Sequence, residues 1–434
     1  MGVKGLWKLL DPVATRASFQ RLAVEDGFMS NRQGTRGYRL GVDAMGWIYR
    51  ACYRHGATKN MELATLNARC SRLYSLPILP IFVFDGPNKP SIKRKKNIRG
   101  NRHWIEADFK SLLDAYGFIW CEAPGEAEAE LARLTKEDYL DAVLTEDSDS
   151  IVFGTTTVLR IDEDVSDDEQ VVVYRSSDIL QALQMNSEDM VLIALLVGGD
   201  YNPGGVKGCG IETALGLAKA GFGRSLACGL KENNYSQEAQ QQFLHEWRSQ
   251  LISEAHSNSS FHLPRRCPSL AHNLPADFPS SDILSYYLHP VVSDDLIPVL
   301  FSRQLSLPAM MLFAEDHFVW GTDAVVMLRH LSNSILPGIA LRSAMQIARA
   351  RDIGFHYYGH MFFGQIVGKR QSSKRSPELR VKIDFPKDII QDGINRLRAA
   401  QENPRFDQSS VDSWIQNCLP KLRAWIPSNM MEGI

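Results

Sequence analysis

Three short runs of apolar, β-branched or aromatic residues each end on a carboxylate: Leu40-Gly41-Val42-Asp43, Ile81-Phe82-Val83-Phe84-Asp85 and Ala142-Val143-Leu144-Thr145-Glu146-Asp147. They lack the alternation of a half-exposed strand and so predict strands covered on both faces. Helical patterns separate them, notably from Met61 to Tyr74 and from His103 to Tyr116, so the first 200 residues read as strand-helix repeats building a parallel sheet. In such sheets ligands collect beyond the carboxyl ends of the strands, where these acids fall.

After Tyr201, the stretch from Asn202 to Gly210 holds four glycines and a proline and feeds a helix start at Ile211-Glu212-Thr213. Gln237 to Glu254 reads as helix, and Ser257 to Pro279, rich in Ser, Pro and Asn, as irregular. From about Gly354 the pattern changes: Gly364 to Gly368 and Leu379 to Ile383 read as strands around a basic turn, with a helix near the end. This divides the chain into 1–120, 121–349 and a small C-terminal unit at 350–434, with no internal repeat.

Composition narrows this picture. The 434 residues are 44% apolar and 23% charged with a net charge of -2, so a nucleic-acid surface would have to arise from local clusters of Lys and Arg. Seven scattered cysteines, with no CxxC and no Cys/His pair at zinc spacing, fit a reducing compartment. Ile78 to Phe84 and Val191 to Val197 are too short to cross a bilayer, MGVKGLWKLL lacks a signal-peptide layout, and Leu6 stands where myristoylation of Gly2 needs Ser or Thr. These features predict a soluble intracellular chain without a membrane partner.

The candidate chemistry is a set of acids: Asp43, Asp85, Glu126, Glu128, Asp147, Asp149 and Asp200. Any one alone is more often a helix cap or a solvated turn residue. Seven carboxylates in one place would repel unless cations neutralised them, and hard oxygen donors suit Mg²⁺ or Mn²⁺. Asp147 and Asp149, at i and i+2, share a side if the extended chain persists past the strand. The same spacing on a helix would send Glu126 and Glu128 apart, so a shared site requires Pro124-Gly125-Glu126 to be a non-helical lead-in. Asp200, after Gly198-Gly199, sits in a tight turn that can join the cluster.

The stretches GVDAMGWIY, FVFDG, EAPGEAEAELA, LTEDSDSIVFG and GGDYNPGGVKGCGIETAL, in this order, resemble the flap endonuclease/XPG nuclease superfamily. The resemblance is dense over roughly residues 1 to 220, sparse to about 345 and loose beyond. It implies an α/β fold with a parallel-sheet, PIN-like nuclease core flanked by helices and a helix-two-turn-helix element. The activity it implies is a 5′-nuclease hydrolysing phosphodiesters near DNA branches, with two Mg²⁺ (Mn²⁺ substituting) per site. Carried over, Asp43, Asp85, Glu126 and Glu128 lie nearer one metal and Asp147, Asp149 and Asp200 nearer the other. Lys93 matches a phosphate-activating lysine at the start of a helical arch, with Arg94, Lys95 and Lys96 beside it and Arg99 as a second clamp. The same basic run also reads as a solvated charge stretch or a KRKK nuclear-import signal.

Gly205, Lys207, Gly208, Gly210 and Thr213 match the helix-two-turn-helix element, which holds duplex backbone and often K⁺. Gly2 joins the expected DNA contacts. Tyr49 matches an aromatic that stacks on a base, or equally is a buried tyrosine on an amphipathic helix.

Only 41 positions separate Asp85 from Glu126, fewer than a capped arch takes in flap endonucleases, and this resembles the eukaryotic Holliday-junction resolvase branch. Asp277-Phe278-Pro279 and the run from Ile283 to Ser293 look like that branch too. Its members carry a chromodomain after the core; His356 to Ile390, with Lys369-Arg370 and Lys374-Arg375, is compatible with that or with any small β-rich domain bearing a solvated basic loop. Gln408 to Ile415 loosely imitates a clamp-binding peptide, but Val411, Trp414, Ile415 and Leu419 recur as a packed helix would. The acidic stretch from Asp162 to Glu169 reads as a hairpin tip. The expected protein is a nuclear, monomeric, structure-specific DNA endonuclease, two copies acting on a four-way junction. The alternatives are a 5′ flap enzyme not specialised for junctions, a silent branched-DNA scaffold, or an RNA nuclease.

Overall fold

The computed structural model describes residues 2–53, 60–90, 92–93, 96–97, 103–161, 170–234, 236–294, 303–355, 363–372, 374–400 and 407–432, with main chain only at 92–93 and 96–97. Strands β1 (Thr15–Ser18), β2 (Tyr38–Asp43), β3 (Ile78–Phe84), the short pair β4 (Ile92–Lys93) and β5 (Lys96–Asn97), β6 (Ile119–Glu122), β7 (Ala142–Leu144), β8 (Thr157–Ile161) and β9 (Gln170–Arg175) occupy the first 175 residues. Seven of them form one sheet in the order β1-β9-β8-β7-β2-β3-β6. The run from β8 to β6 is parallel, as the strand-helix repeats predict. β9 and β1 add an antiparallel edge, because β8 and β9 meet through a hairpin that needs no crossover. The expected acidic tip of that hairpin, 162–169, lies outside the described residues.

Every residue of β2 and β3 is buried. Leu40, Val42, Phe82 and Phe84 face one apolar cluster, while Ile81 and Val83 face another with Leu131 and Leu134 of the helix Ala127–Lys136. That is the two-sided cover that continuous apolar runs require. Gly41 matters here: a Cβ on it would meet the Leu131 and Leu140 side chains at 2.5 and 2.7 Å. Its absence lets the helix that begins after Glu126 lie close against the strand that ends in Asp43.

The helix expected over His103 to Tyr116 starts later, at Glu106–Tyr116, whereas Met61–Tyr74 forms as read. The region 257–279 is mostly irregular but contains the short helix Pro268–Asn273.

At the C-terminus β10 (Phe363–Ser372), β11 (Arg375–Ile383) and β12 (Arg423–Pro427) form an antiparallel sheet, followed in space by helices Lys387–Ala399 and Gln408–Asn417. Val411, Trp414 and Ile415 are buried, so this last stretch is a packed helix rather than an extended docking peptide. Val381, Ile383, Ile390, Ile394 and Ile426 belong to the same apolar cluster as Leu40 and Phe82, so the small sheet is built onto the core of the large one. Among the described residues no single helix is long and apolar enough to cross a membrane.

Candidate active site

The parallel strands β7, β2, β3 and β6 are neighbours, and adjacent strands lie about 4.8 Å apart. Asp43 sits opposite Val83, Val42 opposite Leu144, and Phe84 opposite Glu122. The segments carrying Asp43, Asp85, Glu126–Glu128 and Asp147–Asp149 therefore leave the sheet at one common edge.

Local chemistry then aims each acid. Asp43 is buried and caps its own helix, Oδ1 accepting from Gly46 N at 3.0 Å. Asp85 Oδ1 accepts from Ala127 N at 3.1 Å, and Lys89 Nζ lies 3.4 Å from Oδ2. The first contact ties the acid of β3 to the helix that bears Glu128. The Pro124-Gly125-Glu126 turn is held by Gly86 N to Gly125 O at 2.7 Å and Asn88 N to Pro124 O at 3.0 Å. Glu126 is the N-cap, with φ -89° and ψ 141°, and Glu128 sits in the first turn. The non-helical lead-in that their spacing demands is present.

For Asp147 and Asp149 the expected extended chain is not what forms. β7 ends at Leu144, and the backbone turns: Asp147 N donates to Thr145 Oγ1 and Asp149 N donates to Asp147 Oδ1, each at 3.0 Å. Asp149 already opens the helix Asp149–Val152. A carboxylate two residues behind an N–H competes well for it, and here it wins over strand extension. The two acids still converge, because a Cβ on Gly2 would sit 2.4 Å from Asp147 Oδ1 and 2.8 Å from Asp149 Oδ1. Gly2, at φ +81°, is therefore against the acids, anchored by the Val3 N–H donating to Ser148 Oγ at 2.9 Å. Asp200 is buried and follows Gly198, whose φ is 102°. Its neighbour Tyr201 donates its hydroxyl to Glu126 Oε2, which links the Asp200 turn to the Glu126 turn.

Five of the seven acids, Asp43, Glu126, Asp147, Asp149 and Asp200, are buried, a concentration of negative charge that a divalent cation would offset. The donor set is all oxygen, which fits Mg²⁺ or Mn²⁺. Among the described residues no three His, Cys, Asp or Glu side chains already close round a single ion.

The remaining predicted contacts divide. Lys93 and Lys96 pair across β4 and β5, so the main chain here is a short antiparallel ladder where a helical arch was expected. Arg94, Lys95 and Arg99 lie outside the described residues. Tyr49 is 43% exposed and meets His103 edge-on at 5.8 Å, which excludes the buried-tyrosine reading. Helices Ser187–Val197 and Ile211–Lys219 flank the glycine-rich loop. Gly205 and Gly208 have φ of 53° and 90°, and Val206 N returns to Leu196 O at 2.8 Å. Lys207, Gly208 and Gly210 are exposed. Thr213 departs from expectation: its side chain is buried with Oγ1 3.8 Å from Cys267 Sγ, so only its main chain could meet a ligand.

Two residues of the site were not singled out from sequence, Tyr201 and Ser148. Both are immediate chain neighbours of predicted acids, which is the one sequence signal they carry.

The XPG N-terminal domain model matches residues 1–104 and the XPG I-region model residues 117–200. Flap endonuclease GEN homolog 1 of Mus musculus is 30% identical over 247 residues, 52% of this chain and 26% of its own length. Flap endonuclease 1 of Sulfolobus acidocaldarius is 31% identical over 242 residues, 44% of this chain and 69% of its own length. The chain thus spans about a quarter of the mouse and human relatives it matches. Among solved structures, the Holliday junction-resolving enzyme GEN1 in complex with product DNA and Mg²⁺ is 29% identical, with a TM-score of 0.72 over 99% of this chain and 96% of that one. The same type of enzyme binding potassium gives a TM-score of 0.74 at the same identity and coverage.

Proposed function

Because this chain belongs to the flap endonuclease/XPG family of nucleases, we propose that it is a divalent-metal-dependent, structure-specific DNA endonuclease that resolves four-way junctions and also cuts 5′ flaps. The observation that carries this reading is the exit of four acid-bearing segments at one edge of β7-β2-β3-β6, beside the Asp200–Tyr201 turn.

Asp43, Asp85, Glu126 and Glu128 would hold one Mg²⁺ and Asp147, Asp149 and Asp200 the other. When bound, such a pair supplies charge stabilisation for the attacking and leaving oxygens of the displacement. The chain's own residues do the rest. Gly2 leaves room against Asp147 and Asp149, the Asp85 contact with Ala127 N fixes one ligand group against another, and Tyr201 orients Glu126. Lys93 stabilises charge on the scissile phosphate, with Arg94, Lys95, Lys96 and Arg99 as further phosphate contacts. Tyr49 offers a stacking face near Asp43. Gly205, Lys207, Gly208, Gly210 and the main chain of Thr213 hold duplex backbone, with K⁺ at the same loop; one structural neighbour is an enzyme of this kind binding potassium.

The short spacing between Asp85 and Glu126, and the ladder at β4 and β5, support substrates whose strands continue unbroken past the cut, as in a junction. The functional unit is a monomer, two copies meeting on one junction, since one site cuts one strand. The working location is the nucleus. The divisions 1–120, 121–349 and 350–434 describe the chain as two nuclease regions and a chromodomain-like unit.

Cleavage of labelled four-way junctions and 5′ flaps with Mg²⁺ tests the proposal. Symmetric nicks on the junction that disappear in Asp43→Ala and Glu128→Ala are expected. Flap cutting with an inert junction would move the chain to the flap-specific branch, and no cleavage with any divalent metal would refute the enzyme.

A further inference from the structure

At the opposite end of β3 from Asp85, a cleft of about 630 Å³ opens where the C-terminal sheet meets the core. Pro77, which leads directly into β3, is in its wall, so the whole length of that strand separates the cleft from the acids. Arg72, Arg370, Arg375 and Arg423 line it, with Glu378 the one acid among the lining residues. Glu378 pairs with Arg370 at 2.6 Å and Arg375 at 3.7 Å, and the arginines lining the cleft outnumber this one acid.

The arginines are held rather than loose. Arg370 also lies over the Trp425 ring at 4.4 Å, and Arg423 Nη1 donates to the Leu422 and Pro420 carbonyls at 2.7 and 3.2 Å. A guanidinium already fixed in place loses little freedom on binding an anion. Deeper in the wall, Gln20 is 4% exposed; its Oε1 accepts from Ser376 N at 2.9 Å, while its Nε2 finds no acceptor. A buried N–H donor without an acceptor is costly, and a small shift of the wall on binding would bring it to a ligand oxygen. Leu76, Pro337 and Leu341 supply an apolar side to the same cleft.

We propose that this cleft binds a short protein segment carrying a phosphorylated serine or threonine flanked by apolar residues. A phosphate monoester brings nearly two negative charges and three acceptor oxygens, the complement of clustered arginines with an amide donor behind them. The apolar wall suits flanking side chains, which a sugar-phosphate backbone does not offer. A duplex engaged at the acids occupies the other end of the sheet.

Fluorescence anisotropy with a degenerate peptide pool, phosphoserine at the centre and Leu, Pro and Val around it, tests this on the full chain. The phosphorylated pool should bind at least about tenfold more tightly than its dephosphorylated copy. R370Q and R423Q should each weaken it about tenfold, and Q20L should weaken it as well. Melting temperature and junction cleavage should stay unchanged in at least one of the three variants, which separates loss of the site from loss of the fold. Equal binding of the dephosphorylated pool overturns the proposal. So does unaltered peptide binding in all folded variants. Weakened binding of long-armed junction DNA in R370Q, with the peptide indifferent, would overturn it in favour of a DNA arm contact.

Discussion

Lys136 Nζ donates to the main-chain carbonyl of Phe153 at 2.7 Å, clipping together the far ends of two helices whose near ends carry Glu128 and Asp149. Thr135 Oγ1 reinforces the clip by accepting from Thr156 N at 3.2 Å. Spacing between the two groups of acids is thereby set from behind. Lys136→Met should cost about 1 kcal/mol of stability and reduce cleavage more at low than at saturating Mg²⁺, with Lys136→Arg restoring both. Thermal melts and Mg²⁺ titrations of the rate read this; an unchanged Mg²⁺ dependence would contradict it.

Gly46 faces the Asp43 carboxylate so closely that a Cβ there would lie 2.5 Å from Oδ2. Gly46→Ala leaves the main chain in ordinary helical territory but pushes the carboxylate aside. A displacement of about 1 Å at a reacting centre costs on the order of 100-fold in rate. Junction cleavage should fall by that order, while circular dichroism is kept and the weakened Asp43 cap costs only about 1 kcal/mol of stability.

The acids were legible because a strand buried on both faces writes itself as an unbroken apolar run, and the polar residue that ends it stands out. Asp43 and Asp85 are found this way, and the spacing of Glu126 and Glu128 shows that a shared site needs the non-helical lead-in at Pro124-Gly125. The turn at Asp147–Asp149 was not legible, since a side chain bonding to a nearby N–H competes with strand extension and the residues alone do not decide between them. Nor does periodicity name the partner of a buried face. Val381, Ile383, Ile390 and Ile394 announce an apolar side, but only the fold reveals that it packs on the same cluster as the nuclease sheet. The burial of Thr213 and the part played by Tyr201 escape the sequence for a similar reason: which way a side chain turns depends on Cys267 and Glu126, both remote in sequence.

Tyr201 holds Glu126 through its hydroxyl while its ring rests against Tyr286 and Tyr287 at 5.0 and 4.8 Å. Tyr201→Phe keeps the ring and removes the hydroxyl alone. Partners behind metal ligands are worth about 10- to 100-fold in affinity or activity, so the apparent Mg²⁺ requirement should rise by that order. Mn²⁺ binding followed by paramagnetic resonance gives the same answer without turnover. A Phe variant with native Mn²⁺ affinity would dismiss the role.

Thiol reactivity should separate the cysteines sharply. Burial pushes the Cys121 and Cys209 thiols up to about 12, and Cys70 is fully enclosed and raised for the same reason. Cys228 is exposed. The thiolate is the reactive form, so maleimide at neutral pH should label Cys228 first, Cys121 and Cys209 more slowly, and leave Cys70 to the unfolded chain. Peptide mapping after a short pulse reads the order.

Arg36 and Asp352 join the start of the nuclease core to the end of the helix Leu336–Asp352, with Arg36 Nε and Nη2 each 2.6 Å from a carboxylate oxygen. The hydrogen bond from Arg36 is the largest influence on Asp352 and holds its carboxyl below the usual range, outweighing the burial that pushes the other way. A depressed folded-state value means the unfolded chain takes up a proton first as pH drops, so the bridge stabilises fully above the ordinary carboxylate range and is lost as pH falls through the lower folded value. Asp352→Asn should therefore lower the melting temperature at pH 7, and the gap between variant and parent should close on acidification below about pH 4. Parallel melts from pH 7 to 3 test the sign. A gap that widened toward acid would mean that the contact with Arg36 contributes nothing and that other groups govern the acid limb.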